Sequence, residues 1–230
     1  MMPKKPLQNI SVLVSASIPD ELKQSLQAQD IFAAMIMFTQ QIIAAGGCLV
    51  FGGHPTITPL IHRAAVTVGA EKEAIQLYQL RLFKQDVPQE VWDTQVFSHI
   101  HWIGREKPAD GVISRNMMTE ELTTMRQAMI QVSRAAVFIG GKTTGYSGSK
   151  PGIRDEYERF RASHPHGPVY LVGLLEGETK KIITELEQQQ QREPNGLTDR
   201  QLRIIHHGDN IDLIAPVIVT DIARSVIQLR

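Results

Sequence analysis

The chain has 230 residues, enough for one to one and a half ordinary domains and for a full core without disulfide staples. Its 24 basic residues balance 24 acidic ones, which leaves no excess positive charge for nucleic-acid backbones or anionic lipid. The hydrophobic share of 42% excludes a disordered chain, and the single cysteine, Cys48, excludes an internal disulfide and a thiolate metal cluster.

No apolar run reaches the roughly 18 residues that a membrane span needs. Near the amino terminus, Lys4 and Lys5 precede only a short apolar run that holds several small polar residues, which is a poor signal peptide. The sequence therefore predicts a cytoplasmic protein without a membrane or nucleic-acid partner.

The first seventy residues alternate between strand and helix patterns. Residues 10–16 (ISVLVSA) and 48–51 (CLVF) are short apolar runs typical of buried strands. Residues 31–45 and 55–69 have helical patterns, and the first of these ends at Gly46-Gly47. This alternation predicts right-handed crossovers and a parallel sheet.

The same alternation continues along the chain, with a polar loop predicted at 142–151. Further strands are predicted at 74–82, 97–103, 135–139 and 169–172, and further helices at 119–133, 153–162, 179–191 and 210–229. On the helix at 119–133, we expect a buried stripe of Leu122, Met125, Met129 and Val132. The prediction is a single α/β domain over 1–230, with a core at about 10–175 and C-terminal helices at 176–230.

Three loops follow predicted strands with a composition suited to ligand binding. In a parallel sheet, ligands collect at the carboxyl ends of the strands, so these loops are expected to share one rim. Their candidate binding residues are Ser15 and Ser17 after the first strand, Gly52, Gly53, His54 and Thr56 after the second, and Gly140, Gly141 and Lys142 after the strand at 135–139.

One interpretation of the second loop is that it binds an anion, and phosphate is the obvious ligand. Glycines let backbone N–H groups approach a ligand, and the following helix adds unpaired N–H groups and a partial positive charge. The alternative is that Gly52-Gly53 only makes a tight turn and that Thr56 or Thr58 only caps the helix. Both readings stay open from the sequence.

The third loop has the composition of a phosphate cradle without a known fingerprint. Neither the P-loop spacing nor GxGxxG is present, which disfavours an ordinary ATPase or dehydrogenase. Nearby, Arg126 suits bidentate contact with phosphate, and Glu156 suits a ribose diol or proton transfer. The alternative, which the sequence alone favours, is that both are solvated charges on helix faces.

Paired histidines raise the question of a metal. His206-His207 and His164-x-His166 each lack a third ligand with credible spacing. The sequence therefore predicts neither a metal nor a cofactor.

Three segments together resemble the SLOG superfamily of Rossmann-like proteins. They are SASIP after the first strand, GGCLVFGGHPTITPLI around the second, and RQAMIQVSRAAVFIGGKTTG with GIRDEYE in the second half. The superfamily includes LOG-type phosphoribohydrolases and nucleotide-sensor domains beside TIR or Sir2 modules in anti-phage systems, and the GGHP element looks closest to the sensor type. The resemblance implies a three-layer sandwich with a mostly parallel central sheet flanked by helices.

The enzyme branch of that superfamily carries the motif PGGxGTxxE. Gly140-Gly141 match its glycines and Glu156 its glutamate, but Ile139 replaces the proline and a longer insertion, residues 142–152, separates the two parts. Gln127, after Arg126, does not complete the basic pair of the enzymes. By resemblance, Arg126, Lys142 and Glu156 are the candidates for contact with diphosphate and ribose.

Three functions follow as hypotheses. The first is a sensor for a nucleotide or ADP-ribose-like ligand, which reports to a separately encoded effector or through its own oligomer. The second is a phosphoribohydrolase with Glu156 and Arg126 as catalytic residues, and the third is a structural subunit with a vestigial pocket. A homodimer is expected, because the apolar helix at 31–45 carries Met35, Met37 and Phe38 beyond what one sheet face usually hides.

Overall fold

A six-stranded parallel sheet forms the centre of the computed structural model, which describes residues 5–19, 22, 25, 27–54, 56–87, 89 and 98–228. The strand order is β4-β3-β2-β1-β5-β6, and every neighbouring pair is parallel. This confirms the predicted fold class. The strands are β1 (Ser11–Ser17), β2 (Cys48–Gly52), β3 (Ile75–Leu80), β4 (Ser98–Ile103), β5 (Ala135–Gly140) and β6 (Val169–Val172).

Helices cover both faces of the sheet. They are α1 (Gln27–Ala44), α2 (Thr58–Thr67), α3 (Arg115–Val132), α4 (Gly152–Ser163), α5 (Glu178–Gln188), α6 (Asp199–His207) and α7 (Ile211–Gln228), with a 3-10 helix at Arg81–Asp86. One hydrophobic core joins the sheet to α1, α2 and α7, and a second joins it to α3, α4 and α5. The molecule is thus a three-layer α/β sandwich.

Burial on both faces explains why the central strands are continuous apolar runs. Every residue of β5 is buried, and so are the five inner residues of β1. Successive side chains of a strand point to opposite faces, so a strand covered by helices on both sides needs apolar residues throughout. The short ISVLVSA and AAVFI runs satisfy that requirement.

The structure corrects the prediction for the C-terminal region. The prediction places no helix between those at 179–191 and 210–229, but α6 lies there. Its start is a capping box: the Thr198 hydroxyl accepts from the Gln201 amide, and the Gln201 side chain accepts from the Thr198 amide. The Thr-Asp-Arg-Gln pattern at 198–201 is the signal that could have predicted this helix.

Two further expectations about apolar side chains are revised. Val132 is exposed, although Met125 and Met129 of the same predicted stripe are buried. Met35 and Phe38 of α1 are fully buried within the chain, in the core that also contains Ile218 of α7. The apolar surface of α1 therefore gives no support to the predicted homodimer, which stays a prediction.

None of the helices in the described part of the chain is long and apolar enough to cross a membrane. Three predicted boundaries lie outside the described residues: Pro55 at the start of a helix, residue 97 at the start of a strand and residue 229 at the end of a helix.

Candidate functional site

The carboxyl ends of β2, β1 and β5 lie side by side at one edge of the sheet. The register pairs Ser17 of β1 with Gly140 of β5, and Leu13 of β1 with Val50 of β2. Gly52 therefore lies about level with Ser15. Since neighbouring strands are about 4.8 Å apart, the glycine turns after β2 and β5 are on the order of 10 Å apart, with the end of β1 between them.

The turn after β5 requires glycine at both positions. Gly140 and Gly141 have φ values of 66° and 101°, and a Cβ at Gly140 would lie 2.7 Å from the carbonyl oxygen of Ser17. The Gly141 amide donates to the Ser17 carbonyl oxygen at 2.8 Å. The Gly141 carbonyl oxygen accepts from the amide of Glu178 at 3.0 Å. The turn thus joins β1 to the start of α5.

Backbone amides of the loop after β2 already donate hydrogen bonds within the protein. The Gly53 amide donates to the Tyr78 oxygen at 3.0 Å, and the Ile57 and Thr58 amides donate to the His54 oxygen. The Thr56 amide donates to Nδ1 of His54 at 3.3 Å. These bonds favour the alternative of a tight turn. Neither Thr56 nor Thr58 caps α2, however, because the helix has Ile57 at its N-cap and no side-chain capping bond.

The predicted anion grip by backbone amides needs correction in consequence. The amides of Gly53 and Gly141 already donate to neighbouring backbone oxygens, so neither is available to a ligand without breaking a sheet bond. Gly52 has a packing role as well, because a Cβ there would lie 3.2 Å from Sδ of Met129. If an anion binds at this edge, side chains must supply most of the contact.

Arg126 and two carboxylates form the main charged group at this edge. Nε of Arg126 lies 3.2 Å from Oε1 of Glu156, and Nη1 lies 2.9 Å from Oδ2 of Asp155. The three side chains are only 10%, 12% and 4% exposed. The sequence suggested solvated helix charges as the alternative for Arg126 and Glu156, and this burial overturns that alternative.

Gly148, in the loop before α4, and Gly152, the first residue of α4, leave room for the guanidinium. A Cβ at Gly152 would lie 2.9 Å from Nη2 of Arg126, and one at Gly148 would lie 3.6 Å from Nη1. Residues 148 and 152 therefore flank Arg126 on the loop side. This contact links the insertion between the Gly140-Gly141 turn and Glu156 directly to the charged group.

Further charges hold Asp155 in place. Oδ1 of Asp155 accepts from Nε of Arg159 at 2.9 Å and lies 3.5 Å from Nζ of Lys150. Sequence reasoning did not assign a role to Asp155, Arg159 or Lys150. The Asp155-Arg159 pair has the i,i+4 spacing of helical ion pairs, which could have indicated it.

Glu156 connects α4 to β1. Burial raises the pKa of Glu156, while the nearby Arg126 charge and a hydrogen bond from the Ser15 side chain act to lower it, and burial dominates. A carboxyl group whose pKa is raised keeps its proton to higher pH. In its protonated form it can donate a proton, and in its ionised form it can accept hydrogen bonds.

The structure brings some predicted site residues together and keeps others apart. Ser15, Arg126 and Glu156 form one group, and Gly140 and Gly141 shape the adjacent turn. Ser17 contributes its carbonyl oxygen to that turn, and Lys142 follows it with a partly exposed side chain. Gly52, Gly53, His54 and Thr56 build the turn on the far side of β1.

Comparisons with known proteins agree with this architecture. The model of the SLOG cluster3 family matches residues 22–207. Among 13 matching chains of solved structures is the X-ray structure of TM1055, a Northeast Structural Genomics Consortium target. It superposes with a TM-score of 0.56 at 14% identity, over 92% of this chain and 99% of the other, so the likeness concerns the fold. No curated protein matches the chain.

Proposed function

Because the chain belongs to the SLOG cluster3 family, as the match over residues 22–207 shows, we propose that it binds a nucleotide or an NAD-derived, ADP-ribose-like ligand. The resemblance to the SLOG superfamily that the sequence motifs predicted is confirmed, while its closeness to the sensor type stays a prediction. The proposed binding place is the edge formed by the carboxyl ends of β1 and β5.

The observation that carries the proposal is the meeting of Arg126 and Glu156 beside Ser15. Arg126 comes from α3 and Glu156 from α4, and 30 residues separate them along the chain. A guanidinium can donate two parallel hydrogen bonds to phosphate oxygens, and a carboxylate can accept from the hydroxyls of a ribose diol. One phosphorylated ribose would use both groups.

The positive charge of Arg126 is already partly neutralised, and this sets a condition on the binding of an anionic ligand. Its side chain is paired with Asp155 and Glu156, so an anionic ligand must share or displace one of these carboxylates. Asp155 keeps Arg159 and Lys150 as partners, and the Glu156 carboxyl has its pKa raised by burial. Glu156 is therefore the partner that yields more easily, either by protonation or by turning to the ribose hydroxyls.

A sensing role fits the departures from the enzyme motif. Ile139 stands in place of the proline, and residues 142–152 lengthen the path from the glycine pair to Glu156. We propose that the ligand is held rather than consumed, and that its presence is reported in a defence or signalling system through a homodimer or a separately encoded effector.

Calorimetric titration tests the binding proposal. The probes are ADP-ribose, NAD, cyclic ADP-ribose isomers and AMP, with melting temperature as a second readout. We expect saturable binding of at least one probe, weakened about tenfold or more by Glu156→Gln, since loss of one charged hydrogen-bonding group costs on the order of 1.5–3 kcal/mol.

Glu158→Gln is the matched control, because Glu158 lies on the same helix and is 45% exposed. This variant should bind as the unaltered protein does. Absence of heat and of a melting shift with every probe would contradict the proposal.

A second candidate is hydrolysis of the base–ribose bond of a nucleoside monophosphate. The raised pKa of Glu156 favours it, because a carboxyl that keeps its proton can protonate a leaving base, and its anion can stabilise an oxocarbenium-like state. Chromatography of AMP and N6-modified AMP after incubation would detect free base. Turnover that is abolished by Glu156→Gln would support hydrolysis. Binding without any turnover would support the sensor function instead.

A further inference from the structure

A second cluster of ionisable side chains lies where α5 and α6 end. Glu187 is near the end of α5, and His206 and His207 are the last two residues of α6. Nε2 of His207 lies 2.9 Å from Oε1 of Glu187, and Nδ1 of His206 lies 3.5 Å from the same oxygen. One ligand atom from each of the three lies within 4.8 Å of the others.

The separations of these atoms suit a small divalent ion. Bonds of about 2.0–2.1 Å in a tetrahedral zinc site place neighbouring ligand atoms about 3.3–3.4 Å apart. The two distances to Glu187 Oε1 bracket that value, and the nitrogens of the two histidines lie within 4.8 Å of each other, so rotation of the histidine side chains would admit an ion. We propose that Glu187, His206 and His207 bind one Zn²⁺ or a similar imidazole-preferring divalent ion.

The donor set supports this choice of ion. Two imidazoles and one carboxylate are typical zinc ligands, whereas magnesium and calcium prefer sites made of oxygen atoms alone. Three protein ligands leave the fourth tetrahedral position to water. The sequence spacing did not reveal the third ligand, because Glu187 comes from another helix, 20 residues from His207.

The backbone around His206 is fixed without any ion. The Gly173 amide, just after β6, donates to the Ile205 oxygen at 2.9 Å, and a Cβ at Gly173 would lie 2.0 Å from the His206 oxygen. Any other residue at 173 would push the end of α6 away. Two of the three ligands therefore have a prearranged backbone, which lowers the cost of ordering them on binding.

The helix that carries Glu187 is also anchored. Two hydrogen bonds of 2.8 Å and 2.7 Å run from the Arg154 guanidinium of α4 to the Glu185 carboxylate of α5. A cavity of about 220 Å³, lined by residues of α5 and α6 and by Val169 and Leu171 of β6, adjoins the cluster. An ion at Glu187 would join α5 to α6 beside this cavity and stabilise the packing of both helices on β6.

A plain ion pair between Glu187 and the histidines is the alternative, and the two differ in measurable ways. Protein made without a histidine tag and stripped with EDTA is titrated with ZnCl₂ by calorimetry, and its melting temperature is followed. We expect one zinc per chain and a rise in melting temperature, since an ion that binds only the folded state stabilises it. A Co²⁺ absorption spectrum reports the coordination geometry.

Glu187→Gln and His207→Gln test the ligands. Both side chains are nearly half exposed, so neither substitution threatens the fold. Each should weaken zinc binding at least about tenfold, since even partners outside the ligand sphere cost 10- to 100-fold. His166→Gln, which alters an exposed histidine outside the cluster, should leave binding unchanged.

Absence of saturable zinc binding would overturn the proposal, and so would zinc binding that neither ligand variant weakens. In both cases the cluster is an ion pair only. The experiment uses no nucleotide, so its result is independent of the proposed ligand at the β1–β5 edge.

Discussion

Arg126 and Glu156 lie 30 residues apart in the chain and meet with Nε and Oε1 at 3.2 Å. Nη1 of the same guanidinium bonds Asp155 at 2.9 Å, so one buried cation serves two adjacent carboxylates of α4. This arrangement fixes α3 against α4 and places Glu156 next to the end of β1. The stability of the fold and the proposed ligand binding would therefore depend on the same arginine.

Removal of the Arg126 guanidinium should destabilise the fold strongly. Arg126→Met leaves Asp155 and Glu156 buried with fewer partners, and loss of one member of a buried ion pair costs about 3–5 kcal/mol. Because Asp155 keeps Arg159 and Lys150, we expect the lower end, about 3 kcal/mol, in urea unfolding.

Arg192→Met is the matched control for this change. Arg192 is 53% exposed and pairs with the 76% exposed Asp199, and such surface pairs contribute about 0–1 kcal/mol. Equal losses for the two arginine variants would show that burial of the Arg126 group does not matter.

Alanine should be tolerated poorly at Gly140. The positive φ of 66° costs an L-residue about 1–2 kcal/mol, and the contact of the new Cβ with the Ser17 oxygen adds about 1–3 kcal/mol. Gly69→Ala separates the two causes, because φ there is 61° but nothing lies within 4 Å of the added Cβ. In chemical unfolding, the free energy of unfolding of Gly140→Ala should be clearly lower than that of Gly69→Ala. The reverse order would refute the proposed clash with the Ser17 oxygen.

The thiol of Cys48 should react slowly in the native protein. Burial raises the pKa of Cys48 from 9.0 to about 11, a change that lowers the thiolate fraction at pH 8 about a hundredfold. Reaction with a thiol reagent should therefore be at least that much slower in buffer than in guanidinium chloride.

The rate for Cys48 should also keep rising as the pH increases from 8 towards 11, because the thiolate is the reactive form. Equal rates in the native and unfolded states, or a plateau of the native rate near pH 9, would be inconsistent with the buried thiol.

The cap of α6 should contribute measurably to stability. Thr198→Ala removes the hydroxyl that accepts from the Gln201 amide, at a cost of about 1 kcal/mol. Thr198→Ser keeps an accepting hydroxyl and should lie within a few tenths of a kcal/mol of the unaltered protein. If urea unfolding gives the same stability for both variants, the capping box does not stabilise this helix.

The sequence by itself determined the sheet and most of its helices. Continuous apolar runs such as residues 135–139 predict strands buried on both faces, and their alternation with helices predicts parallel pairing, because both follow from local composition and chain connectivity. The SLOG resemblance also rested on local motifs. For α6 the local signal in the sequence is the capping pattern from Thr198 to Gln201 at its start.

Only the tertiary structure decided which polar groups are available for binding. The amides of Gly53 and Gly141 looked available in the sequence, but neighbouring strands take them up, since hydrogen-bond partners depend on which strands become adjacent. Conversely, Arg126 with Glu156, and Glu187 with His207, are pairs between different helices that no spacing rule within one element predicts. Burial, partner choice and the pKa of Glu156 arise from packing at long range, and only the folded chain fixes them.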